Sequence, residues 1–208
     1  MNYNEIADSL RQSYNQTAAQ RDQKEIADWK AAERGEFLAR LHEEKKETLL
    51  EIGAGPGRDS KFFQDNGLTV TCTDLSPEMV RLCQAKGLDA HVMDFAHLDF
   101  PIHSFDALFA LNCLLHVTKA DLPAILHILH SLLKPDGLFY MGVYGGLDSE
   151  GPWEDDVHEP KRFFSFYTDE QMEEMVGKLF TVLSFKRIIV EQDTLHRPHF
   201  QSLILRPR

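Results

Sequence analysis

The stretch Leu49-Leu50-Glu51-Ile52-Gly53-Ala54-Gly55-Pro56-Gly57-Arg58-Asp59-Ser60 sets an apolar run against glycines at alternate positions and then a helix-like segment. That order reads as strand, tight turn and helix. Glycine lets backbone N–H groups approach a ligand without Cβ interference, and the helix N-terminus that follows offers unpaired donors with positive dipole character. A nucleotide-like ligand is the expectation. A Gly-x-Gly-x-Gly alone is a weak signal, but Asp74 closes the next apolar run, Leu68 to Thr73. It falls about 20 residues beyond the glycines, where a dinucleotide-type fold places its ribose-binding carboxylate.

Upstream, Ile26, Trp29, Phe37, Leu38 and Leu41 form an apolar stripe through residues 24–44, which reads as one cover helix leading into the first strand. Downstream, Phe62 and Phe63 lie in a helix ended by Asn66-Gly67, and Ser76-Pro77 supplies a cap and a first-turn proline for a helix stopped by Gly87. A short strand, Ala90 to Met93, ends at Asp94, and Phe105 to Leu111 is the next apolar run. Thr118 and Asp121 resemble a capping box ahead of Leu122, Ile125, Leu126, Leu129 and Leu133, until Pro135-Asp136-Gly137 breaks the helix before a strand from Leu138 to Val143. Strands of continuous hydrophobicity separated by helices predict a doubly wound, mostly parallel sheet covered on both faces. The last third changes rhythm. Thr168 and Gln171 cap a helix carrying Met172, Met175, Val176 and Leu179. Val182 to Val190 and Phe200 to Leu205, joined by the polar segment Glu191 to His199, then predict an antiparallel hairpin at one sheet edge.

The 208 residues are 43% hydrophobic and carry no Pro/Gly/Ser-rich linker, so a single α/β domain over residues 1–208 is expected, with a helical cover segment at 1–45 and the core at 46–208. The apolar runs are strand-sized and the N-terminal residues are polar, which predicts a cytoplasmic protein without membrane spans. Cys72, Cys83 and Cys113 form no CxxC pair and read as reduced buried thiols. A formal net charge of -11 argues against a nucleic-acid partner, whose phosphates need Lys and Arg to neutralise them.

Leu49 to Gly57, Asp74, Asp94-Phe95 and Leu132-Leu133-Lys134-Pro135-Asp136-Gly137-Leu138 together resemble the motifs of the class I S-adenosylmethionine-dependent methyltransferases, particularly those that modify small molecules. The resemblance runs through residues 14–206, with Asp136 in place of a common glycine. It implies a Rossmann-like seven-stranded sheet with an antiparallel C-terminal strand, S-adenosylmethionine as cofactor and S-adenosylhomocysteine as product. By the same resemblance, Gly53, Ala54, Gly55 and Gly57 line the methionine and ribose portion, and Glu51 orients the loop or the cofactor ammonium. Asp74 accepts both ribose hydroxyls, Leu75 and Met79 flank the adenine, Asp94 and the Phe95 backbone read the adenine edge, and the Leu111 carbonyl lies near the ammonium. Tyr14-Asn15-x-x-Ala18-x-x-Arg21-Asp22 resembles a "YDxxAxxYD" segment, which puts Tyr14 and Arg21 at the cofactor, Arg21 toward its carboxylate. The main rival, a nicotinamide dehydrogenase, would need glycine or alanine where Arg58 stands.

The expected acceptor is a small molecule with an oxygen or nitrogen nucleophile. Alternatives are a protein or RNA methyltransferase and a cofactor-binding module without chemistry. Asn112-Cys113-Leu114-Leu115 stands where enzymes methylating nucleobase or amide nitrogens carry an Asn-Pro-Pro-Tyr type sequence. His116, just beyond the fourth strand, is the candidate general base, or else a pocket-shaping residue that hydrogen-bonds backbone. Asn112, Tyr144, Trp153 and His158 are the candidate acceptor contacts. The last two belong to the acidic segment Gly151 to Glu159, which reads as an acceptor lid suited to a cationic substrate or as a solvated loop. Phe163, Phe164, Phe166 and Tyr167 read as core. His127 and His130 have i,i+3 spacing without a third ligand, so no metal site is expected.

Overall fold

The computed structural model describes residues 2–154, 156–190 and 199–208. In chain order the elements are α1 (Tyr3–Gln23), α2 (Asp28–Glu43), β1 (Thr48–Ile52), α3 (Arg58–Asp65), β2 (Thr69–Asp74), α4 (Pro77–Ala85), β3 (Asp89–Val92), β4 (Phe105–Leu111), α5 (Leu122–Leu132) and β5 (Leu133–Tyr144). They continue with β6 (Ser149–Pro152), β7 (Phe163–Phe166), α6 (Asp169–Val176), β8 (Phe180–Ile188) and β9 (Phe200–Pro207). A seven-stranded sheet runs in the order β3-β2-β1-β4-β5-β9-β8. β9 is antiparallel to both neighbours, and the pairings among β1 to β5 are parallel. This is the expected Rossmann-like, doubly wound architecture. The reversal of strand order beside β1 opens a crevice at the carboxyl ends of β1 and β4, where ligands bind in open α/β sheets.

The continuous hydrophobicity of the central strands is explained by burial on both faces. Leu49, Leu50 and Ile52 in β1 and Ala107, Leu108 and Phe109 in β4 are fully buried. One face packs on α5 through Ile125, Leu126 and Leu129, and the other meets Phe37 and Leu41 of α2 and Phe63 of α3. Phe109 stacks on Tyr140 at 4.8 Å between ring centroids, and Phe37 lies 5.5 Å from Tyr140. Each such buried ring contributes about 1.5–3 kcal/mol relative to exposure.

The local signals for helix ends are realised in atoms. The Ser76 hydroxyl accepts the Met79 N–H at 3.2 Å, with Pro77 in the first turn of α4. Thr168 and Gln171 form a reciprocal capping box on α6. The structure corrects the reading in three places. The expected cover helix is present as α2, starting at Asp28 instead of residue 24, and a second helix, α1, precedes it across Lys24 to Ala27. The segment from Gly151 does not start as loop, because Ser149–Pro152 pairs antiparallel with Phe163–Phe166. β5 begins at Leu133, ahead of Pro135-Asp136-Gly137, and absorbs them in a register shift against β4. The edge hairpin is present, but residues 191–198 of its connection lie outside the described residues. Cys72, Cys83 and Cys113 are buried free thiols. His127 donates to the Pro123 carbonyl at 2.9 Å and His130 packs edge-on against Phe180. Among the described residues no helix is long and apolar enough to cross a membrane.

Candidate active site

The loop after β1 has its shape from contacts behind it. Gly53 has φ +65°, and a Cβ there would lie 2.3 Å from the Cβ of Cys113, so glycine is required on two counts. The Cys113 thiol donates to the Ile52 carbonyl at 3.2 Å and seals that contact. Glu51, buried at the end of β1, accepts the Ser60 hydroxyl and ties the loop to α3. Burial, and next the charge of Asp59, push the Glu51 carboxyl well above the usual carboxylate range. Gly57 packs behind the loop, where a side chain would run into Cys83 and Leu88.

Asp74 closes the other side. Its carboxylate accepts Gly55 N–H at 2.8 Å and Ser76 N–H at 2.9 Å, bridging the loop after β1 to the turn after β2. Burial raises its pKa, while the two amides and Arg21 pull the other way. Of about four lone-pair sites on an ionised carboxylate, two are used here and two remain. At the end of β3, Asp94 accepts the Tyr3 hydroxyl at 3.2 Å and the Ala96 N–H at 2.8 Å.

These groups converge on a cavity of about 330 Å³. Its wall contains Tyr14, Arg21, Glu51, Gly53, Ala54, Gly55, Asp74, Leu75, Met79, Asp94, Phe95, Leu111, Asn112 and His116, so fourteen of the anticipated positions share one space. Gly57, Tyr144, Trp153 and His158 are not in that wall. Tyr144 packs against Phe200 at 5.5 Å, and Trp153 lies edge-on to Phe164 and Phe166 within the β6–β7 hairpin. The sequence reading missed Tyr3, Ile6 and Leu10 on α1, and Ile26, Ala27 and Lys30 around the α1–α2 junction, which complete the enclosure. The spacing of Ile6, Leu10 and Tyr14 at successive helical turns was the available signal.

Two buried polar atoms in this wall lack a protein partner, Asn112 Oδ1 and Arg21 Nε. Asn112 has φ +56°, a left-handed conformation that asparagine tolerates better than most residues. A Cβ on Gly55 would meet nothing within 4 Å, which leaves the loop open on its cavity side. The orphaned Arg21 Nε, the free Asp74 lone pairs and an open glycine cradle fit an adenosyl amino acid carrying a carboxylate and ribose hydroxyls.

His116 is buried with both ring nitrogens occupied. Nδ1 lies 2.7 Å from the Phe163 carbonyl, so it carries the proton, and Nε2 therefore accepts the Tyr14 hydroxyl at 2.6 Å. Burial, reinforced by Arg162 and Arg21, pushes its pKa down to about 3, so the ring is neutral near pH 7. The acidic segment is organised inward. Asp156 has a 2% exposed side chain and accepts Arg162 Nε and Nη2 at 2.8 Å and His158 Nδ1 at 2.9 Å. Burial opposes ionisation there, yet the Arg162 hydrogen bonds hold the Asp156 carboxyl well below the usual range.

Sheet order, glycine loop and acid-tipped strands define the class I methyltransferase fold. Residues 49–137 match a family model described as "Methyltransferase domain". A malonyl-[acyl-carrier protein] O-methyltransferase from Pseudescherichia vulneris is 33% identical over 103 residues, 49% of this chain and 40% of the relative. The chain thus matches less than half the length of that curated relative. Among solved structures, the 1,6-didemethyltoxoflavin-N1-methyltransferase of Burkholderia thailandensis, with bound 1,6-didemethyltoxoflavin and S-adenosylhomocysteine, superposes with a TM-score of 0.76 at 24% identity over 100% of this chain and 91% of its own. The [4+2]-cyclase SpnF superposes at 0.73 with 16% identity, covering 97% of both chains. Residues 49–137 thus match a methyltransferase domain, and the whole chain has the class I methyltransferase fold that the motif resemblance implied.

Proposed function

We propose that this chain binds S-adenosylmethionine in the cavity and transfers its methyl group to a small-molecule oxygen or nitrogen nucleophile. The observation that carries the reading is Asp74, which clamps Gly55 and Ser76 and keeps lone pairs for two ribose hydroxyls. Leu75 and Met79 would flank the adenine, Asp94 and Phe95 would read its edge, and Arg21, whose buried Nε has no partner, would meet the carboxylate. The Leu111 carbonyl and Glu51 would face the ammonium. When bound, the cofactor supplies a methyl group already activated by the sulfonium charge. What the protein must add is alignment and exclusion of water. α1 and the α1–α2 junction provide the cover, with Ile6, Leu10 and Ile26 in the cavity wall.

Charge supports a small acceptor over RNA, since a net charge of -11 repels a polyanion. Three reduced thiols suit a cytoplasmic location. The likeness to a cyclase keeps one second reading in play, an adenosyl-ligand site without methyl transfer. Calorimetry with S-adenosylmethionine, S-adenosylhomocysteine and NAD tests the cofactor. Binding of both adenosyl ligands near micromolar affinity, about -8 kcal/mol, without NAD is the expected result. Binding of NAD alone would overturn the reading, and transfer of a tritiated methyl group separates an enzyme from a binding module.

A further inference from the structure

Resting on that reading of the cavity, we propose that Tyr14, expected from the motif at the cofactor, instead touches the methyl acceptor, that the acceptor's reacting atom carries a hydrogen, and that His116 serves as a positioning residue behind Tyr14. The hydrogen-bond directions leave little freedom. His116 Nδ1 donates to the Phe163 carbonyl at 2.7 Å, so Nε2 presents a lone pair, and Tyr14 must donate its hydroxyl proton there across 2.6 Å. Arg162 Nη1 donates to the same phenol oxygen at 3.3 Å, and Arg162 is itself clamped by Asp156. A phenol oxygen has two lone pairs, and one remains. It can only accept. A ligand atom meeting Tyr14 in the cavity must therefore be an O–H or N–H donor, because a carboxylate or phosphate oxygen would find no proton to take.

A second observation in the same wall asks for the same chemistry. Asn112 Oδ1 is a buried acceptor without a partner. The guanidinium of Arg21 lies 5.1 Å from the Tyr14 ring centroid and that of Arg162 lies 5.7 Å away, so two planar cations contact the ring. Its rotamer is set by elements from three parts of the chain.

The acceptor lone pair forms the new bond to the methyl carbon as the carbon–sulfur bond breaks and its electron pair returns to sulfur. The acceptor proton passes to Tyr14 as the Tyr14 proton passes to His116 Nε2, and once the product has left, the proton returns through Tyr14 to water in the cavity. A neutral phenol–imidazole pair takes a proton from the oxonium that hydroxyl attack leaves but not from an alkylammonium, which holds its proton to about pH 10. Among proton-bearing acceptors the relay therefore favours a hydroxyl.

The test uses the full chain with tritiated-methyl S-adenosylmethionine, offering catechol as the hydroxyl probe and benzylamine as the amine probe. Affinity for S-adenosylhomocysteine is measured in parallel, and its loss in the wild type would sink the cofactor reading instead. Expected is methylation of catechol, a fall of at least about 100-fold in kcat for Tyr14→Phe with S-adenosylhomocysteine affinity kept within about threefold, and partial rescue by His116→Gln relative to His116→Leu. The glutamine oxygen can still accept the Tyr14 proton, which a purely space-filling role would not reward. Full turnover by Tyr14→Phe, equal rates for the two His116 variants, methylation of benzylamine alone, or methylation of neither probe by a protein that binds S-adenosylhomocysteine would each overturn the proposal.

Discussion

The carboxylate of Asp74 accepts the backbone N–H of Gly55 at 2.8 Å, so the acid ending the second strand holds the loop that follows the first. Strand end and loop are thereby one unit, and the ribose contacts expected of Asp74 are preorganised by the same bond that shapes the glycine turn.

Asp74→Ala removes that clamp and both ribose acceptors together. Hydrogen bonds to a charged group contribute about 1.5–3 kcal/mol each, so affinity for S-adenosylhomocysteine falls by about 100-fold or more. Calorimetry on the variant decides it, and unchanged affinity would remove the ribose assignment.

Two loop glycines should separate folding from binding. At Gly53 an added methyl meets Cys113 at 2.3 Å, whereas at Gly55 it meets nothing within 4 Å although φ is +55°. Gly53→Ala is expected to cost about 2–4 kcal/mol in urea unfolding, from overpacking plus the left-handed penalty. Gly55→Ala costs only about 1–2 kcal/mol in stability, but places its methyl on the cavity side and loses cofactor affinity. Equal effects on stability from the two would contradict the geometry.

The contrast between these glycines shows what a sequence conveys and what it does not. Gly53, Asp74, the Ser76-Pro77 start of α4 and the Thr168–Gln171 box were legible because each depends on residues within a turn of one another or on a strand end. The β6–β7 pairing was not, since Ser149-Glu150-Gly151-Pro152 has turn composition and becomes strand only against Phe163–Phe166. Tyr14 and His116 are 102 positions apart, and only the packing of α1 on the hairpin through Ile6, Leu10 and Phe163 joins them. Asp156 read as part of an acidic acceptor lid or solvated loop because its partner, Arg162, becomes a neighbour only once the hairpin forms.

Glu51 makes stability depend on pH in a defined sense. Its folded pKa lies well above the ordinary 4.5, so the folded state holds this proton more tightly than the unfolded chain does. The contribution is therefore fullest below that ordinary value and is lost as pH rises through the folded value. Glu51→Gln keeps an acceptor for Ser60 and removes the titration. The variant should be more stable than wild type at about pH 8, with the difference shrinking toward about pH 4. Urea midpoints at both pH values check it, and a gap that widens on acidification would show the sign to be wrong.

The Asp156–Arg162 pair behaves oppositely and sits in the hairpin instead of the cavity. Its carboxyl is held below the ordinary 3.8, so the stabilisation is present above that value and lost as pH falls through the folded one. Arg162→Ala leaves a 2% exposed carboxylate with His158 as its remaining side-chain partner. Breaking a buried pair from one side costs about 3–5 kcal/mol, whereas replacing both members by apolar residues of similar volume is often near neutral. Asp156→Leu combined with Arg162→Met should therefore be markedly more stable than Arg162→Ala alone. The loss in the single variant should appear first as faster hydrogen exchange at Phe163–Phe166, because Arg162 leads directly into that strand and its own N–H is held by Asp156 at 2.9 Å. If the double variant lost as much as the single one, Asp156 would not be an uncompensated charge in the absence of Arg162, and the hairpin would owe its position to Trp153, Phe163 and Phe164 alone.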